Sequence, residues 1–136
     1  MRTTLAAAAL AGSAAITGLT LSPAAAQATP RTATQSAATG VSWGKFFSSD
    51  HKAHTFGRTV KHGGKVHTTW HGVDMAGGKR AWVWFEVYQN GHWRTFDHSW
   101  DGKTTGVWSG RGITKVYTFT CWAGKLDNCG RKYRIS

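Results

Sequence analysis

"RAWVWFEVYQNGHWRTF", residues Arg80 to Phe96, places three tryptophans, two phenylalanines and a tyrosine around an Asn90-Gly91 pair. Asn-Gly between two alternating apolar runs is the strongest short hairpin signal, because a type I′ turn needs positive φ at both central residues. That turn fixes the register. Gln89 faces His92, Tyr88 faces Trp93, Val87 faces Arg94, Glu86 faces Thr95, Phe85 faces Phe96, Trp84 faces Asp97 and Val83 faces His98. Strand side chains alternate between faces. One face therefore carries Ala81, Val83, Phe85, Val87 and Phe96, and the other carries Trp82, Trp84, Tyr88 and Trp93 with Glu86 and Asp97 between them. A sandwich strand needs only one apolar face. A second one, left uncovered, marks an interface.

Outward from this hairpin the chain reads as strands and turns. From Val41 to Ser136 no long stretch repeats apolar positions at three and four, and glycines and Asn or Asp residues punctuate short alternating runs. "TFGRTVKHGGKVHTTWH" is another hairpin. A three-residue loop His62-Gly63-Gly64 pairs Val60 with Val66, Arg58 with Thr68 and Phe56 with Trp70 and collects the apolar residues on one face, so it is preferred to a two-residue Gly63-Gly64 loop. In "GITKVYTFTCW", Ile113, Tyr117, Phe119 and Cys121 are expected inward and Thr114, Val116, Thr118 and Thr120 outward. "RKYRI" closes the domain with Tyr133 and Ile135 inward. Six or seven such strands predict an all-β fold, a two-sheet antiparallel β-sandwich with one disulfide.

The pair is Cys121 and Cys129, the only cysteines. Their close spacing in an exported chain reads as a disulfide, and the small loop it closes contributes about 2.5 kcal/mol by chain-entropy arithmetic.

Export is read from the first residues. MRTTLAAAALAGSAAITGLTLSPAAA has one early cation, an Ala/Leu-rich stretch and a small-residue end, so residues 1–26 are expected to be a secretory signal cut before Gln27, with no membrane span and an extracellular destination. Residues 27–40, QATPRTATQSAATG, hold no aromatic residue and are expected to be a flexible N-terminal arm. The β-sandwich domain then occupies 41–136. Without Arg2 the chain keeps sixteen Lys and Arg against six carboxylates, a net charge of +10. Such an excess favours an acidic or anionic partner, a protein or a wall polymer among them.

The frame "GRTVKHGGKVHTTWHGVDMAGGKRAWVWFEV", followed by "HSWDGKTTG" and "ITKVYTFTCWAGKLDNCG", resembles small exported β-sandwich proteins of high-GC Gram-positive bacteria. Size, signal, arm and sandwich are similar to the small adaptor subunits of umbrella-shaped secreted toxin particles. That resemblance implies a larger secreted protein, a toxin subunit, as partner, with the N-terminal arm docking as an added strand. "GVSWGKFF" would serve, since Val41, Trp43 and Phe47 alternate with Ser42 and Gly44, although Phe46 breaks that pattern and favours the domain's own first strand.

Catalytic constellations are weak. Glu86, Arg94 and His98 are residue types used by small ribonucleases, but the hairpin register puts Glu86 on the face opposite the other two, so acid, base and phosphate clamp do not converge and nucleic acid is not the expected partner. Glu86 and Asp97 share a face at a spacing suited to a retaining glycosidase, yet a flat sheet excludes little water. Among the seven histidines there is no His-x-His, His67 and His71 lie about 13 Å apart on one strand face, and His51 and His54 meet only in a turn. The expectation is a non-enzymatic binding protein with no metal or cofactor, using Val41, Trp43, Phe47, Trp82, Trp84, Tyr88 and Trp93. Its first role is an adaptor, its second a carbohydrate- or wall-binding antimicrobial protein and its third a small hydrolase.

Overall fold

The computed structural model describes residues 38–136. The expected signal and residues 27–37 of the expected arm lie outside them. Eight strands follow in order: β1 (Thr39–Phe47), β2 (Ala53–His62), β3 (Lys65–Asp74), β4 (Ala81–Gln89), β5 (His92–Trp100), β6 (Lys103–Arg111), β7 (Ile113–Trp122) and β8 (Tyr133–Arg134). They form two four-stranded antiparallel sheets, β1-β2-β3-β6 and β5-β4-β7-β8. The fold is an all-β sandwich with one disulfide, Cys121–Cys129.

The β4–β5 hairpin adopts the register that Asn90-Gly91 dictates, with φ of 49° and 84° at the two turn residues and every pair from Gln89–His92 to Val83–His98 in place. Ala81, Val83, Phe85 and Val87 are buried, and Phe96 is half-buried beside them. Around Phe85 the core is aromatic. Trp43, Trp70 and Trp108 each come within 6.5 Å of its ring centroid, and Trp100 packs on Trp70.

The β2–β3 hairpin corrects the sequence reading. Its loop is the two-residue Gly63-Gly64, both at positive φ, so Thr59 faces Thr68, Gly57 faces Trp70 and Phe56 faces His71. The inward face of this hairpin is built mainly from Thr55, Gly57, Thr59, Thr68 and Trp70, with Ala53 and Val66 as its aliphatic members. Counting apolar residues on each face therefore picked the wrong loop. The threonines bond to one another and to one indole: Thr59 and Thr68 share a 3.0 Å hydrogen bond, and Trp43 Nε1–H donates to Thr59 Oγ1 at 3.1 Å. Gly57 leaves the space that the Trp43 indole and the β3 backbone occupy, because a Cβ there would meet Trp43 at 2.8 Å and Trp70 Cα at 2.9 Å.

Two bulges shift the phase of alternation, and each accounts for a further correction. In β7 the pairing with β4 steps from Tyr88–Lys115 to Gln89–Ile113. The extra residue lets Ile113 and Val116, three apart, both turn inward. Val116, Thr118 and Thr120 are then fully buried and Tyr117 and Phe119 point outward, the reverse of the expectation, whereas Cys121 is buried as expected. In β1 the register shifts between Gly44 and Phe46, bringing Phe46 onto the core side beside Trp43 in a stack of 5.6 Å.

β1 is the domain's own edge strand, paired with β2 from Thr39–Lys61 onward, so Thr39 and Gly40 belong to it rather than to the arm. At the other end Tyr133 stacks on Phe46 at 3.9 Å and Ile135 is buried.

Candidate functional site

The outward face of the second sheet is where the unused aromatic residues gather. Trp82 and Trp84 on β4 lie opposite Cys121 and Phe119 of β7, and Tyr88 lies opposite Trp93 of β5 and Lys115 of β7. Trp84 and Phe119 stack at 6.0 Å with planes 10° apart. Trp93 stands between Tyr88, at 5.2 Å, and Tyr117, at 6.0 Å. Six aromatic rings thus tile one sheet face whose reverse already fills the core.

The face divides into a tied half and an open half. The segment after β7, held by the disulfide and by Gly130 N–H donating to Thr120 O at 2.8 Å, folds toward Trp84. Trp84 Nε1–H donates to Lys125 O at 2.7 Å, and Lys125 Nζ reaches over the same indole to Asp97 Oδ1 at 3.2 Å. Lys132 binds Glu86 Oε2 at 2.7 Å while lying over Phe119. These are the two ion pairs between side chains of the described residues, and both sit on this face. The Tyr88, Trp93 and Tyr117 end carries no such cover. Trp93 is 54% exposed, and Lys115 approaches the Tyr88 ring at 5.8 Å.

Of the seven residues predicted from sequence, Trp82, Trp84, Tyr88 and Trp93 share this face. Val41, Trp43 and Phe47 do not join them; they lie on β1 in the other sheet. Trp43 is 8% exposed and committed to the core, which removes it as a contact residue, because its partners Phe85 and Thr59 already enclose it. Val41 is exposed, and Phe47 is half-buried between His51 and His54. Tyr117 and Phe119 belong to the site and were missed. The three-residue spacing of Ile113 and Val116 was the signal of the bulge that exposes them.

The face presents rings for contact. Both carboxylates are neutralised by lysines. Arg94 and His98 project from the opposite face of the β4–β5 hairpin, with Arg94 bonded to Gln89 and His98 lying 5.6 Å from Trp70. Among the described residues no three His, Cys, Asp or Glu side chains come together as a metal group. His54 is buried with its Nδ1 unpartnered, and burial, with Lys45 acting in the same sense, pushes its pKa below the usual histidine value.

No family model, curated protein or solved structure matches this chain.

Proposed function

We propose that the protein is a non-enzymatic binding subunit that docks onto a larger secreted protein through the aromatic face of its second sheet, in the role of the toxin-particle adaptors to which its size, expected signal and arm, and sandwich are similar. The observation that carries this reading is the Tyr88–Trp93–Tyr117 platform. Large rigid rings are solvent-facing there, on a sheet whose other side is a complete core. Aromatic clusters of this kind supply the central anchors of protein interfaces. The ion-paired lysines around Glu86 and Asp97 form a polar rim beside it. A glycan-binding reading is less well supported, because those two carboxylates are held by lysines rather than free to accept sugar hydroxyl protons.

The strand-donor role for residues 41–47 is replaced by a structural one, since β1 completes the first sheet. An arm contribution to docking would rest on residues before Ala38. The test is recovery of a tagged form from the producer's culture medium. The wild type is expected to bring down one larger secreted protein in near-equal amount. Trp93→Ala/Tyr117→Ala should lose it while remaining folded. Recovery of the bait alone, or equal recovery by the variant, contradicts the proposal.

A further inference from the structure

The first sheet presents a different surface from the aromatic one. Three shallow grooves, of about 390, 450 and 380 Å³, adjoin one another. The first two share Lys45, and the second and third share Phe56 and His71. Together they run from the segment after Cys129, across β1, β2 and β3, to β6. The four strands of this sheet alone make a path of about 14 Å at ordinary strand spacing.

The charged lining is cationic throughout: Arg131 at one end, Lys45 and Arg58 in the middle and Lys103 at the other, with the His51 and His71 imidazoles beside them. No carboxylate lines any of the three grooves. All of the ion pairing between side chains of the described residues is on the opposite sheet, so Lys45, Arg58, Lys103 and Arg131 make no ion pair among those residues. Gly40 helps to set the arrangement. A Cβ at that position would lie 2.7 Å from the Arg58 guanidinium, so the glycine lets Arg58 fold across β1 beside the groove.

We propose that this track binds a linear polyanion, and that its class is a polyol- or sugar-phosphate chain rather than a nucleic acid. Charge complementarity along a continuous path gives the first half of the assignment. The rings along the track give the second. Single-stranded nucleic acid is held by bases stacking on open aromatic faces. Here Phe56 is stacked on His71 at 4.9 Å, and Tyr133 is stacked on Phe46 with Arg131 over its ring. The remaining lining adds hydroxyls on the outward face, Ser42, Thr69 and Thr105, the last sharing a 3.0 Å hydrogen bond with His71 Nδ1, to meet a hydroxylated backbone. The inference is independent of the partner proposed for the aromatic face.

The experiment measures binding of the purified full chain to a poly(glycerol phosphate) of defined length. A single-stranded DNA oligomer of equal charge and neutral dextran are the comparison probes. The polyol phosphate should bind more tightly than the DNA, and dextran should not bind. In Lys45→Ala/Arg58→Ala the affinity should fall about tenfold or more at low salt, and the salt slope should drop by about one to two. Lys79→Ala/Arg94→Ala removes the same charge away from the track and should change affinity less than twofold. Lys103→Ala/Arg131→Ala, at the two ends, provides a second track variant should the first fail to fold. Equal losses in the track and control variants, tighter binding to the DNA, or no binding to the polyol phosphate would each overturn the assignment.

Discussion

Thr55 of the first sheet and Thr120 of the second share a 2.7 Å hydrogen bond across the sandwich, and both are fully buried. Thr120 donates its hydroxyl proton to the Phe46 carbonyl at 2.9 Å, so Thr55 is the donor to Thr120. The two sheets are joined here by an ordered hydroxyl chain as well as by aromatic packing. Thr120→Val leaves both the Phe46 carbonyl and the Thr55 hydroxyl without a partner, and should cost about 1–3 kcal/mol in urea unfolding. Thr55→Val/Thr120→Val should cost less than the sum of the two single changes.

Gly57 is predicted to tolerate no side chain. A methyl group there would collide with Thr69 O and press on Trp43 and Trp70. Gly57→Ala is expected to lower stability by about 1–3 kcal/mol or more through overpacking. Gly77→Ala, with open space around it, should change the denaturation midpoint little.

His54 should make stability depend on pH. Burial lowers its pKa from 6.5 in the folded chain. The unfolded chain then takes up the proton first as pH falls. The stability contributed by neutral His54 is full above about pH 6.5 and declines as pH drops toward the folded value. Chemical denaturation at pH 7.5 and pH 5 should show the wild type losing more stability than His54→Phe. Equal losses in the two proteins would remove His54 as the cause.

The two halves of the aromatic face should separate in mutagenesis. Trp93→Ala, at an exposed ring, should change stability by no more than about 1 kcal/mol. Trp84→Ala removes the bond to Lys125 O and the stack on Phe119, and should cost about 1–3 kcal/mol with loosening of the disulfide-held segment. Thermal unfolding of both variants, with hydrogen exchange at Lys125 and its neighbours, checks the distinction.

The parts of this molecule that were legible in the sequence are those set by local turn chemistry and strict alternation. Asn90-Gly91 fixed the β4–β5 register, and with it both the core and the Trp82/Trp84/Tyr88/Trp93 face. The β2–β3 loop was misread because its inward face is threonine and glycine packed under indoles. An aliphatic criterion undervalues such a face. Tyr117 and Phe119 read as inward because a single extra residue in β7 reverses alternation, and the sequence marks that bulge only by the three-residue spacing of Ile113 and Val116. The cationic track was not legible either. It joins residues from five separate segments that only the sheet order brings together.

The most direct test of the docking face is photo-crosslinking from position 93 in the producer's medium, with position 107 on the exposed face of the first sheet as control. A photoreactive phenylalanine analogue at 93 is predicted to give one discrete higher-mass protein adduct, suppressed by excess unlabelled protein, and none from 107. No adduct from 93, or the same adducts from both positions, would contradict docking through the aromatic face.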